Sequence, residues 1–245
     1  MITRTDISQA TVLSSLIYND GMPIIAGLEV VKAITDEKTD THGAVLADVT
    51  NKRLYIVFRG TKGATDIKTD LECIQKKTSV AGKECRVHEG FLKAYESVES
   101  QINAIPFNEY VGYQIVVCGH SLGGALATLC GASLPVDNNI VVITFGSPRV
   151  GNDKLVKAFQ DKVVQSYRFV HHNDPVPMVP KINYRHVDTE VRLDDNGNEI
   201  SYFSVWKRLL YWIKGKGKFN IALFCVEDHF MLKYSKTVSA WNDKG

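Results

Sequence analysis

The chain has 245 residues, of which 44% are apolar and 23% charged, and its net charge is +2. Such a length holds one domain with a large core, residues 1–245, and the composition is that of an ordinary soluble globule. No basic stripe is interleaved with aromatics, so nothing points to nucleic acid, and no apolar run reaches the length of a membrane-spanning helix.

The elements alternate along the chain. Residues 7–18 read as a helix, with Ile7, Ala10, Leu13 and Ile17 on one face. Residues 43–49 and 53–59 form a hairpin around Thr50-Asn51-Lys52. Residues 60–86 read as loop with a short helix. Residues 88–105 are helical, with Phe91, Tyr95, Val98 and Ile102 recurring at helical spacing. A buried strand at 113–118 and a helix at 125–134 follow, then a strand at 140–145 and a helix near 153–161. A further strand at 163–170 ends at Asn173-Asp174-Pro175, and residues 184–200 read as a second hairpin turning at 194–198. Strands alternating with helices imply an α/β chain whose predominantly parallel central sheet is flanked by helices.

The most informative stretch is Gly119-His120-Ser121-Leu122-Gly123-Gly124, lying between the strand and the helix. A G-x-S-x-G run in that context is a nucleophile elbow. Glycines at 119 and 123 leave room where a Cβ would clash. Ser121 is thereby lifted clear of the sheet, and the Leu122 N–H can face an oxyanion.

A serine hydroxyl needs a base, and the base an orienting carboxylate. Asp174 is the best acid, because it lies just past the carboxyl end of a strand in a loop that Pro175 restricts. Asp153 is better explained as a helix N-cap. The histidines after Ser121 are His171, His172, His186 and His229. Neighbours on a strand point to opposite faces, so His171 and His172 cannot both face the serine. His229 is last in order, as a loop-borne base should be, and is favoured over His186. Asp228 beside it is a poor orienter and is expected to be solvated. The second oxyanion donor is expected from the loop after an early strand, where Phe58-Arg59-Gly60-Thr61 offers Thr61. Asp70 could accept from its hydroxyl, although such pairs more often make local turns.

Together these pieces resemble the class 3 lipases, the family of the fungal triacylglycerol lipases. The matching text is Phe58-Arg59-Gly60-Thr61, Val87-His88-Glu89-Gly90-Phe91, residues 119–124, FGSPRVGN at 145–152 and RFVHHNDPVPMVP at 168–180. Tyr184-Arg185-His186 and Asp228-His229 before Tyr234 complete the series, in family order from about residue 40 to 235. The resemblance implies an α/β-hydrolase fold, with Ser121 as nucleophile, Asp174 as acid and His229 as base. It also implies Thr61 and Leu122 in the oxyanion hole, with Asp70 supporting Thr61, and neither metal nor cofactor.

The chain departs from the secreted fungal members in three respects. It lacks an obvious signal peptide and disulfide set. The cysteines, Cys73, Cys85, Cys118, Cys130 and Cys225, are odd in number and scattered, and Cys118 and Cys130 read as core residues. The expectation is therefore a reduced, cytoplasmic compartment, with leaderless export as the alternative. Second, the lid-like segment near 62–72 is polar, with only Ile67 as a large apolar residue over 62–69. One such side chain contributes about 2 kcal/mol, so interfacial activation is expected to be weak.

Third, the segment at 202–218 matches no core motif. Between Ile200 and Val226 there is no acidic residue, but there are Lys207, Arg208, Lys214, Lys216 and Lys218. At helical period Phe203, Val205, Trp206, Leu209, Leu210 and Ile213 share a face. Two readings stand: a flap docked on the core, or a contact with an anionic membrane surface. The function expected is hydrolysis of lipid esters through an acyl-enzyme. A small-ester esterase, a thioesterase or amidase, and a non-catalytic lipid-binding module are the alternatives.

Overall fold

Strands β6 (Gln114–His120) and β7 (Ile140–Phe145) are buried along their whole length. Their side chains alternate between two cores: Ile115 and Val117 enter one, Val116 and Cys118 the other. A strand buried on both faces reads as an unbroken apolar run, and it requires helices above and below. The computed structural model describes residues 1–19, 23–61, 74–135, 139–187, 189–200 and 228–244.

Among the described residues the main sheet has seven strands in the order β1-β2-β3-β6-β7-β8-β9. Strands β1 (Glu29–Asp36), β2 (Thr41–Asp48) and β3 (Arg53–Phe58) form an antiparallel meander. From β3 onward β6, β7, β8 (Gln165–His171) and β9 (Thr189–Leu193) run parallel. Helices α2 (Glu89–Asn103), α3 (Leu122–Ser133) and α4 (Asp153–Lys162) contribute Phe91, Val98, Leu126, Leu129 and Phe159 to one core. Helices α1 (Arg4–Leu16) and α5 (Met231–Asn242) contribute Ile7, Leu13, Tyr234 and Val238 to the other. Each such side chain contributes about 1.5–3 kcal/mol by leaving water.

Local signals set the helix ends. Thr3 and Asp6 form a reciprocal capping box at the start of α1. Helix α4 is capped by Asn152, whose side chain accepts from the Leu155 N–H. Asp153, expected as the cap, instead occupies the first turn, where a carboxylate also suits the helix dipole, and pairs with Arg185 at 3.2 Å.

Three expectations change. Residues 75–88, read as loop with a short helix, form the hairpin β4 (Gln75–Val80) and β5 (Lys83–His88). Strand β1, which the sequence reading does not anticipate, holds the edge of the sheet. The second hairpin also differs: β9 joins the main sheet parallel to β8, and among the described residues its return arm makes a single bridge, Leu193 to Glu199. The turn itself is as expected, with Asp194 Oδ1 accepting from the Asn196 and Asn198 N–H groups at 2.9 Å each. The segments at 62–72 and 202–218 lie outside the described residues.

Candidate active site

The register of the parallel strands gathers the site. Phe58 pairs with Gly119, His120 with Phe145, and Phe145 with Phe169. The residues just past these carboxyl ends therefore emerge side by side. They are Thr61 after β3, Ser121 after β6 and Asp174 after β8. His229 comes from the segment leading into α5 on the same edge.

Ser121 has φ 57° and ψ −124°, a conformation that an L-residue adopts only under constraint, at about 1–3 kcal/mol. The constraint comes from both sides. Its N–H donates to the Phe145 carbonyl at 2.9 Å, and its own carbonyl accepts from Gly124 at 2.9 Å. A Cβ on Gly119 would lie 2.4 Å from the Gly123 backbone, and one on Gly123 would lie 2.2 Å from the Phe58 carbonyl oxygen. The two glycines let the turn close against β3. Leu122 opens α3, and the first N–H groups of a helix have no partner within it, so they face whatever lies beyond the serine.

His229 Nε2 lies 2.8 Å from Ser121 Oγ, and His229 Nδ1 lies 2.7 Å from Asp174 Oδ2. The carboxylate accepts, so Nδ1 carries the proton and Nε2 offers its lone pair to the hydroxyl. Asp174 Oδ1 accepts from the Val176 N–H at 2.9 Å, and Oδ2 also accepts from the Tyr234 hydroxyl. Burial raises the Tyr234 phenol well above its ordinary value, and the Asp174 charge adds to this, so it remains a donor. Ser121, His229 and Asp174 are 4%, 3% and 0% exposed. The serine, lifted clear of the sheet, is thus enclosed.

The other sequence candidates are placed as follows. Thr61 lies three residues past the end of β3 and is half-buried; Asp70 lies outside the described residues. His186 stands apart from Ser121, with Nε2 donating to the Pro177 carbonyl at 2.7 Å. Asp228 is half-buried and paired rather than freely solvated. His172 approaches one carboxylate oxygen at 3.4 Å, His171 the other at 3.6 Å, and the Asn173 N–H donates to it at 3.2 Å. Burial opposes the charge, but the His172 hydrogen bond and the two imidazoles outweigh it and hold the carboxyl below its usual range. The pair can share Asp228 because His172 leaves the strand with φ 43°, so strand alternation ends at His171. This clamp joins the loop carrying Asp174 to the one carrying His229. Neither Tyr234 as an Asp174 donor nor the clamp had a spacing signal in the sequence.

The arrangement is a base aligned on a serine, oriented by a buried carboxylate, beside a helix N-terminus. It can carry out acyl transfer through a covalent intermediate. Residues 55–184 match the family model described as Lipase (class 3). A secreted mono- and diacylglycerol lipase of Fusarium solani is 37% identical over 172 residues, covering 67% of this chain and 51% of that one. A Rhizomucor miehei lipase–propeptide complex superposes with a TM-score of 0.69 at 28% identity, covering 80% of this chain and 70% of that one. A second structure, described as a triacylglycerol lipase whose catalytic centre is a serine protease triad, gives a TM-score of 0.69 at 28% identity. It covers 80% of this chain and 82% of that one.

The chain spans about half the length of the curated relatives it matches. The cytoplasmic expectation is overturned by these relatives, since the Fusarium solani protein is by name secreted, which points outside the cell. That expectation rested on the first residues and on cysteine usage, neither of which constrains this fold. Cys85, Cys118 and Cys130 are buried free thiols, which serve as core residues in either compartment.

Proposed function

This chain belongs to the class 3 lipase family and has its α/β-hydrolase fold, and from that premise we propose that it hydrolyses carboxylic esters of lipids, acylglycerols or phospholipids, through Ser121, His229 and Asp174. Ser121 Oγ attacks the ester carbonyl while its proton passes to His229 Nε2. Asp174 keeps the Nδ1–H aimed and offsets the positive charge on the ring. The Leu122 N–H and Thr61 receive the negative charge that develops on the carbonyl oxygen, with Asp70 supporting Thr61. His229 then returns the proton to the departing alcohol. A water activated by the same nitrogen releases the fatty acid. Residues 1–245 act as one domain, with the segment near 62–72 as a lid and the basic segment at 202–218 contacting an anionic membrane surface.

The observation that carries this reading is the continuous pair of hydrogen bonds, 2.8 Å and 2.7 Å, linking Ser121, His229 and Asp174. A second reading, an esterase for small soluble esters, is favoured by the polar composition of residues 62–69, whose one large apolar side chain is Ile67. Turnover of an ester series, from short p-nitrophenyl esters to triacylglycerol emulsions and phospholipid vesicles, separates the two, with Ser121→Ala as blank. Rates rising as substrate aggregates support the lipase. Rates highest on soluble short chains, without a break, support the esterase.

A further inference from the structure

Two groups outside the triad lie in line with the backbone of the base. His120, the last residue of β6, is buried, and its Nε2 lies 2.6 Å from the carbonyl oxygen of His229. Its Nδ1 lies 2.7 Å from the hydroxyl of Tyr18, two residues beyond the end of α1. A carbonyl only accepts, so Nε2 carries the proton and donates it. Nδ1 is then the bare nitrogen and accepts from the Tyr18 O–H. The Tyr18 oxygen also lies against Gly60, the residue before Thr61. Two donors therefore point one way, from Tyr18 beside Gly60, through His120, to the backbone of His229. The close approach requires glycine at position 60, because a Cβ there would lie 2.2 Å from the Tyr18 hydroxyl.

The relay is neutral throughout. Burial, reinforced by the neighbouring His229, holds the His120 imidazole well below its ordinary value. Burial likewise pushes the Tyr18 phenol up, against the Gly60 N–H and the Arg59 charge. Neutrality matters because the His120 and His229 rings lie 4.7 Å apart between centroids, tilted by 33°. A second cation there would oppose the imidazolium that forms on His229 during acyl transfer, whereas a neutral ring does not.

We propose that Tyr18 and His120 are positioning residues: their relay ties the backbone of the base to the strand end that carries Thr61, fixing the two halves of the site in one geometry. This rests on the reading of Ser121 as nucleophile and His229 as base. Neither residue touches the reacting atoms. Small misplacements of a base or an oxyanion donor act on the chemical step, so breaking the relay lowers kcat and leaves KM nearly unchanged.

Tyr18→Phe keeps the ring and removes the hydroxyl that bonds His120 beside Gly60. With a soluble p-nitrophenyl ester its kcat is expected to fall about tenfold or more, with KM within about twofold and thermal unfolding still cooperative. His120→Gln retains an N–H for the His229 carbonyl and is expected to keep several times the kcat of His120→Leu. Because both substitutions cut one relay, adding Tyr18→Phe to His120→Leu should cost little more. A Tyr18→Phe kcat within about twofold of wild type, or a change confined to KM, overturns the proposal. So does a His120→Gln protein no better than His120→Leu. If His120→Leu does not fold, Tyr18→Phe alone decides. Ser121→Ala, run alongside, separates the two levels of the reading. Turnover surviving in it removes the nucleophile assignment and the relay together. An inactive Ser121→Ala beside an unimpaired Tyr18→Phe removes the relay alone.

Discussion

Replacing Asp174 by Asn changes one atom in a site with no solvent to adapt to it. The carboxylate accepts from three donors: His229 Nδ1–H, the Tyr234 hydroxyl and the Val176 N–H. An amide accepts on one side only. If its oxygen faces His229 and Tyr234, its NH₂ meets the Val176 N–H, and a buried donor left without an acceptor costs about 1–3 kcal/mol. The charge-assisted bond to the imidazolium is lost as well, a further ~1.5–3 kcal/mol. Turned the other way, the NH₂ donates to His229 Nδ1 and the ring takes the wrong tautomer, with Nε2–H facing Ser121, so that the base is lost altogether. The buried donor acts on stability and only the lost charge-assisted bond acts on the transition state, so at ~1.4 kcal/mol per factor of ten kcat/KM falls at least about tenfold in the first arrangement, and by up to about 10⁴ where the ring takes the wrong tautomer. The assay is turnover of a short p-nitrophenyl ester at neutral pH, with thermal unfolding recorded to show that the variant is folded. A folded Asp174→Asn protein within about tenfold of wild type would refute the assignment of Asp174 as orienting acid.

His186 supplies a pH test. Burial, with Arg168 nearby, pushes its imidazole down to about 3 from 6.5. The unfolded chain therefore takes up a proton that the folded chain refuses, and stability falls as pH drops from 6.5 toward 3. His186→Gln keeps a donor for the Pro177 carbonyl and should show a shallower decline of Tm across that window; parallel curves would exclude His186 as the cause. For the basic segment, Gln at Lys207, Arg208 and Lys214 should weaken binding to anionic vesicles and spare turnover of a soluble ester. Vesicle binding indifferent to those charges and to salt would return the segment to a docked flap.

The site was legible in the sequence where covalent geometry demands particular residues. The elbow needs glycine at 119 and 123, since their absent Cβ atoms would meet backbone at 2.4 and 2.2 Å. The order of serine, acid and histidine follows from the fold, since Ser121 and Asp174 come after β6 and β8 and His229 precedes α5. Strands β6 and β7 were legible because burial on both faces gives them unbroken apolar runs, residues 115–118 and 140–143. The hairpin β4–β5 was not, since only Val80, Cys85, Val87 and His88 of its twelve strand positions turn inward, leaving no alternation long enough to read. Strand β1 has one fully buried side chain, Ile34, as an edge strand allows. The return arm after β9 reads as a strand because the Asp194 turn is real, yet among the described residues one bridge follows it. The relay through Tyr18 and His120 joins residues 102 positions apart, and no periodicity encodes such a contact.

The central claim is that Ser121 is the nucleophile. A p-nitrophenyl phosphonate tests it most directly, because it forms a stable adduct with an activated serine and mimics the tetrahedral intermediate. Intact-mass measurement and peptide mapping should find one adduct, on Ser121, with activity lost in proportion to labelling and no adduct in Ser121→Ala. Labelling on another residue, or esterase activity that survives full modification of Ser121, would contradict the account.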